Sequence, residues 1–229
     1  MKKTLLYLMT VCAVLALGAW LLLPKAPSSA SDAQTTAVAM PWDITLHKDG
    51  STEVFGVHLG STTLADTIVA WGMPDSIALF AKDTVPISVE VWFSHPRVSP
   101  MRAGIVLTLA VETSTMQTMM DEAQGHKTAA DGDKKYILSD AHQEQLLQYN
   151  VKTLSYIPAY KGLEPAYLEQ HVGRPAASWQ QSEHLQSWYY PDKGLTLIID
   201  AEGKDVFQYQ LPTTLQLPAA ATALTAPDA

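Results

Sequence analysis

With 229 residues, 47% of them hydrophobic, the chain has enough apolar material for one large core or two small ones. Its net charge is −8, and setting aside Lys2, Lys3 and Lys25 of the N-terminal segment leaves twelve basic residues against 23 acids, or −11, on residues 26–229. That charge repels phosphate and anionic lipid, which argues against nucleic acid as a partner, and a single cysteine, Cys12, excludes an internal disulfide or a cysteine metal site.

Residues 1–25 begin Met1-Lys2-Lys3 and carry no charge from Thr4 to Leu23. At 1.5 Å per residue such a run covers about 30 Å, the hydrocarbon thickness of a bilayer. Two lysines ahead of it hold the N-terminus in the cytoplasm. The segment is expected to be an N-terminal membrane anchor spanning a bacterial inner membrane once through residues 4–23, with the C-terminal domain in the periplasm. Ser28-Ser29-Ala30 offers a cleavage site, so a signal peptide is the alternative. Cys12 does not read as a lipidation site, because bulky Val11 precedes it and the apolar run continues beyond it. Residues 26–41, rich in Ala, Ser, Thr and Pro, read as a flexible tether.

The folded part starts near Trp42. Asp43–Leu46 and Thr52–Leu59 have strand character around a Lys48-Asp49-Gly50 turn. Ser61-Thr62-Thr63 supplies capping oxygens for a helix whose apolar face carries Leu64, Ile68 and Trp71, and Gly72-Met73-Pro74 stops it with a left-handed glycine cap. Ser76–Ala81, Ile87–Phe93 and Ile105–Val111 are predicted antiparallel strands, completing a first module over 42–111. Residues 112–150 read as a helical connector, with helices at Thr115–Gln124 and Asp140–Tyr149, a polar loop at Gly125–Asp133 and a short strand at Tyr136–Leu138. A second module, 151–211, opens with a strand at Val151–Ile157. It then repeats the grammar: a helix after Gly162 with Glu164 and Pro165 in its first turn, a Gly173-Arg174-Pro175 stop, and strands at Ala177–Gln181, Leu185–Tyr190, Leu195–Asp200 and Asp205–Leu211. The Pro/Ala/Thr-rich residues 212–229 are expected to be a disordered tail.

The second unit, from Gly162 through Gly-x-Pro, Trp188-Tyr189-Tyr190-Pro191, Gly194-Leu195 and the Asp200-x-x-Gly203-Lys204 turn to Tyr209, resembles the SmpA/OmlA (BamE-like) domain. The first copy, Gly60–Leu109, matches more weakly, with Trp92-Phe93-Ser94 set against Trp188-Tyr189-Tyr190. As a tandem pair the two resemble the two halves of beta-lactamase inhibitor protein. The resemblance implies helices packed on an antiparallel sheet, residence in the cell envelope and a role in protein–protein contact. The expected fold class is therefore α+β: two related modules, each with a short helix or helices on an antiparallel sheet, behind an N-terminal transmembrane helix.

Motifs for chemistry are sparse. The seven histidines form no short metal spacing and read as solvated or half-buried structural residues. Asp131-Gly132-Asp133 opens like a calcium loop but continues Lys134-Lys135 without the later glycine and glutamate. Ser94-His95 and Ser139…His142 put nucleophile and base near one another only in sequence, which is not triad geometry. No catalytic, cofactor or metal residue is assigned. The suggestive side chains are aromatic. Consecutive residues of a strand face opposite ways, so Trp188 is expected in the core and Tyr189 outward, where it and Trp179 would form a protein-binding patch. The expectation is a non-enzymatic envelope protein whose ectodomain binds another envelope protein as a scaffold or assembly factor. An enzyme acting on envelope material and a secreted inhibitor of a periplasmic enzyme are the competing readings.

Overall fold

Ala103–Leu109 alternates buried and half-buried positions residue by residue, the period of a strand with one face on a core. The same alternation recurs in Val151–Pro158 and Leu195–Asp200, and the dominant element is an antiparallel sheet of eleven strands. The computed structural model describes residues 39–128 and 132–224, and the statements below concern those. The expected anchor over 1–25 and the tether up to residue 38 lie outside them, as do 129–131 within the expected polar loop and 225–229 at the end of the expected tail.

In chain order, β1 (Thr45–Leu46), β2 (Thr52–Val54) and β3 (Val57–His58) form a small separate sheet. Helix α1 (Leu64–Trp71) precedes β4 (Ser76–Lys82), β5 (Val85–Phe93) and β6 (Ala103–Leu109). Then α2 (Thr113–Asp121), β7 (Gly125–Thr128), β8 (Lys134–Ile137) and α3 (Asp140–Leu146) lead to β9 (Val151–Pro158). Helix α4 (Pro165–Val172) precedes β10 (Ala177–Gln180), β11 (Leu185–Tyr190), β12 (Leu195–Asp200) and β13 (Val206–Tyr209), and β14 (Thr222–Ala223) follows. The large sheet runs β14-β10-β11-β12-β13-β9-β6-β5-β4-β8-β7. With four helices among the described residues, the fold is α+β.

Strand register shows where the core sits. One row of side chains crosses the sheet as Trp188, Leu197, Phe207, Tyr156, Ile105 and Phe93, and the next as Tyr190, Leu195, Tyr209, Leu154, Leu107 and Val91. All twelve are buried and belong to one apolar cluster. Leu64 of α1, Met116, Met119 and Met120 of α2, Leu146 of α3, and Leu168 and Val172 of α4 join the same cluster, as do Val54, Phe55, Val57 and Leu59 around the small sheet. Helices and small sheet thus pack on one face of the large sheet.

Local chemistry accounts for the element ends. Thr63 and Asp66 make a reciprocal capping box at the start of α1. The N–H groups of Leu64 and Ala65, which no intrahelical bond can satisfy, donate to the carbonyls of Tyr149 and Leu147 just past α3 at 3.0 and 2.9 Å. Both Gly-x-Pro stops take up the positive φ expected of them, but not the left-handed cap. Gly72 sits at φ 91°, ψ −177° and Gly173 at φ 94°, ψ 177°, a region essentially reserved for glycine. Buried Asp205 ties α4 to the sheet: its carboxylate accepts from Leu163 N–H at 3.0 Å and Asp200 N–H at 3.1 Å.

Three expectations need correction. Thr52–Leu59 is not one strand but a tight hairpin, because Phe55 (φ 53°) and Gly56 (φ 77°) both adopt positive φ, as a primed two-residue turn requires. The polar loop begins as strand β7, whose exposed residues are held by pairing with β8 rather than by any apolar pattern. The tail is ordered through residue 224: Thr222–Ala223 pairs with β10, and Leu224 N–H donates to Ala176 O at 2.9 Å. The Pro/Ala/Thr-rich composition did not prevent this, because backbone groups of the sheet edge supply the partners.

Candidate functional site

The second face of the large sheet carries the opposite phase of every strand. Its central row, read through the register, is Ala177, Tyr189, Thr196, Gln208, Ser155, Val106, Trp92 and Ser76. A second row in the C-terminal half runs Trp179, Ser187, Ile198 and Val206. Trp92, Val106, Trp179, Ile198 and Val206 are half-buried and stand outside the apolar cluster to which all four described α-helices contribute. Large side chains left partly in water on a continuous face mark a contact surface more often than scattered single ones do.

The two expected binding residues are both on this face, while Trp188 goes under the helices at 8% exposure. Trp179 is half-buried. Tyr189, however, is only 6% exposed, which corrects its expected role as a protruding anchor. Alternation fixes which face a side chain takes, not how far it stands out: Trp92 and Tyr189 both lie between paired neighbours on this face, yet Trp92 is half-buried and Tyr189 buried.

Trp92, one of the suggestive aromatics in the sequence though not one of the two assigned to the patch, holds the position of Tyr189 in the other half. Asp75 N–H donates to Trp92 O at 2.8 Å and Ala176 N–H to Tyr189 O at 2.9 Å. Ser76 pairs with Trp92 as Ala177 pairs with Tyr189. Trp92 therefore corresponds to Tyr189, one residue away from the match of Trp92 with Trp188 made on residue identity. Beneath it Gly104 is a packing requirement: a Cβ there would meet the Trp92 ring at 2.1 Å. The indole thus lies over the neighbouring strand, beside a depression of about 210 Å³ lined by Ala78, Phe80, Glu90, Trp92, Val106 and Lys135, among others. Lys135 Nζ stands 5.9 Å from the centre of the Phe80 ring.

The remaining candidates resolve into local structure. Ser139 Oγ accepts from His142 N–H as a helix cap, and His142 Nε2 faces Glu122 at 3.2 Å. Ser94 N–H donates to the Asp75 carboxylate at 2.7 Å, which holds that carboxyl below its usual range. The histidines do not all stand apart. His47 and His58 stack with ring centres 4.1 Å apart, beside Glu53.

Among the described residues the protein is α+β, with its helices on one face of the large sheet. No family model, curated protein or solved structure matches the chain. No helix among the described residues is long and apolar enough to cross a membrane.

Proposed function

We propose that the chain is a non-enzymatic cell-envelope protein, tethered to the bacterial inner membrane through residues 4–23, whose periplasmic part binds another envelope protein on the open sheet face. The observation that carries this reading is two groups of half-buried apolar side chains, Trp92 with Val106 and Trp179 with Ile198 and Val206, on a face to which no helix among the described residues contributes. Aromatic residues lead among interface anchors because they bring large contact area at low entropic cost. The acidic balance of residues 26–229 favours a partner surface that is neutral or basic.

The same reading takes the chain as two related modules of the SmpA/OmlA type, arranged as in beta-lactamase inhibitor protein. Its support is geometric. Both helices have eight residues, both end on a glycine of nearly the same φ and ψ, and both are followed by x-Pro and a strand paired through the same hydrogen bond. On that view β9, which the sequence places at the head of the second module, is instead the fourth strand of the first half and corresponds to β13 of the second, with residues 112–150 as an insertion.

Crosslinking in intact cells, followed by pulldown and mass spectrometry, tests the proposal. Trp179→Ala and Trp92→Ala are expected to keep the fold and lose the captured partner, with at least about 2 kcal/mol of binding lost at an anchor position. Trp188→Ala serves as the core control, at about 3–5 kcal/mol of stability. Capture of an enzyme whose activity falls in the complex would select the inhibitor reading over a scaffold. Undiminished capture by both surface variants would refute the face as the binding site.

A further inference from the structure

The small sheet carries a cluster that binding through the open face does not use. Along β2, Thr52 and Val54 are buried and Glu53 between them is not; along β3, Val57 is buried and His58 is not. Alternation therefore turns Glu53 and His58 outward, and the register sets them directly opposite each other. Thr45 of β1 pairs with Glu53 from the other side, and His47, two residues on, falls on the same face. His47 Nε2 meets the Glu53 carboxylate at 2.8 Å. The His47 and His58 rings stack at 4.1 Å with an 11° tilt. One donor atom from each of the three residues lies within 4.8 Å of the others.

A fourth donor stands beside them. Asp49, in the β1–β2 turn, has its carboxylate 3.9 Å from His58 Nε2. Ser51 holds that carboxylate in place, donating from its N–H at 3.0 Å and its hydroxyl at 2.5 Å, and the same hydroxyl bonds the His58 ring. None of these groups is needed for packing, which Thr52, Val54, Val57 and Leu59 provide. The His47, Glu53 and His58 side chains keep about a third of their surface in water, at 33%, 34% and 26%.

We propose that His47, Glu53 and His58, with Asp49 as the fourth ligand, form a binding site for a divalent transition-metal ion of the Zn²⁺ class. Two neutral imidazoles and two carboxylates balance the charge of the ion. Imidazole nitrogen selects zinc, copper or nickel over calcium and magnesium, which favour oxygen donors. A tetrahedral ion with bonds of roughly 2.0–2.1 Å holds its ligand atoms about 3.4 Å apart. Closing to that spacing requires the two rings, now stacked nearly parallel, to turn out of the stack and the exposed Asp49 carboxylate, now near His58 alone, to swing inward. Nε2–H of His47 now donates to the Glu53 carboxylate, and Nε2–H of His58 to the Ser51 hydroxyl, whose own proton goes to Asp49. In the filled site each imidazole carries its proton on Nδ1 instead and turns the Nε2 lone pair to the ion, and Ser51 remains as the outer-sphere group that orients Asp49. The ion would join β1, the turn, β2 and β3 at one point.

The test is calorimetric titration of the full-length chain in detergent with ZnCl₂ and separately with CaCl₂, alongside imidazole NMR and amide hydrogen exchange. One Zn²⁺ per chain is expected, with shifts confined to the His47 and His58 rings, slower exchange in residues 45–58, and no response to Ca²⁺. His47→Ala, His58→Ala and Glu53→Gln should each weaken binding by at least the roughly 100-fold that loss of an outer-sphere partner can reach. His126→Ala and His184→Ala should leave it unchanged. Should a histidine variant misfold, Glu53→Gln decides, since it keeps the size and hydrogen-bonding capacity of the side chain. Failure of the wild type to bind Zn²⁺, or equal binding by the His47→Ala/His58→Ala double variant, overturns the site.

Discussion

Replacing Gly72 or Gly173 by alanine isolates a single physical effect. At Gly72 an added Cβ would meet nothing within 4 Å, and at Gly173 only the Lys193 ammonium at 3.8 Å. Sterics with the surroundings therefore contribute nothing, and the cost is that of forcing a side chain to φ 91° or 94° with extended ψ. Such a conformation costs on the order of 1–3 kcal/mol in the folded state. Alanine also narrows the unfolded ensemble, whose lost freedom acts in the same destabilising-to-stabilising balance at about 0.4–1 kcal/mol in favour of folding. The net loss is roughly 1–2 kcal/mol at each position, or a fall in melting temperature of about 2–8 °C for a chain of this size. Thermal unfolding followed by circular dichroism measures it, with two-state behaviour checked by a second probe. The two variants should lose the same amount within error. Asparagine separates this geometry from a left-handed cap, because asparagine tolerates the left-handed region but gains nothing at extended ψ. Rescue by Gly173→Asn, or no loss in either alanine variant, would refute the reasoning.

Asp205→Ala should cost about 2–4 kcal/mol, since it leaves the N–H groups of Leu163 and Asp200 without their acceptor; denaturant titration measures the loss, and hydrogen exchange at those two amides locates it. At high pH the fold should fail cooperatively. Burial holds the hydroxyls of Tyr156, Tyr190 and Tyr209 above their usual value of 10.0, so above pH 10 the folded chain keeps protons that the unfolded chain has released. Their contribution is complete below that pH and is lost as pH rises further. Phenolate absorbance for these residues should appear together with loss of near-ultraviolet dichroism; a gradual rise with the fold intact would show the hydroxyls to be accessible.

Helix α1 was legible almost to the residue because its determinants are local: Thr63 caps it and Gly72-Met73-Pro74 ends it. The strands of both halves followed from apolar runs and from turns such as Pro191–Gly194, where a Cβ on Gly194 would strike the Gln210 carbonyl at 2.0 Å. What failed depended on register. Trp92 was matched to Trp188 because the residue types agree, whereas the hydrogen bonds count from Pro74 and Pro175 and match it to Tyr189. The histidine cluster was hidden for a related reason. Thr52–Leu59 reads as one alternating strand, and only the turn at Phe55-Gly56 folds His58 back against Glu53. The face proposed for binding was visible as a phase of alternation in Leu185–Tyr190, but the depth of Tyr189 within the sheet is set by neighbours that composition does not reveal.

The pairing of β9 with β13, through Leu154–Tyr209, Ser155–Gln208 and Tyr156–Phe207, makes the middle of the molecule a junction between segments made at different times. As the chain emerges, β9 can complete the first half on β6 while its other edge still waits for a strand more than forty residues downstream. During that interval the first half presents a bare, apolar ribbon of backbone donors and acceptors, the kind of edge that recruits any available strand. The strand it needs is also carried by every other copy of the chain. Crowded nascent chains are thus expected to exchange C-terminal halves and close as reciprocal dimers, each β9 paired with the β13 of another copy, in proportion to their concentration.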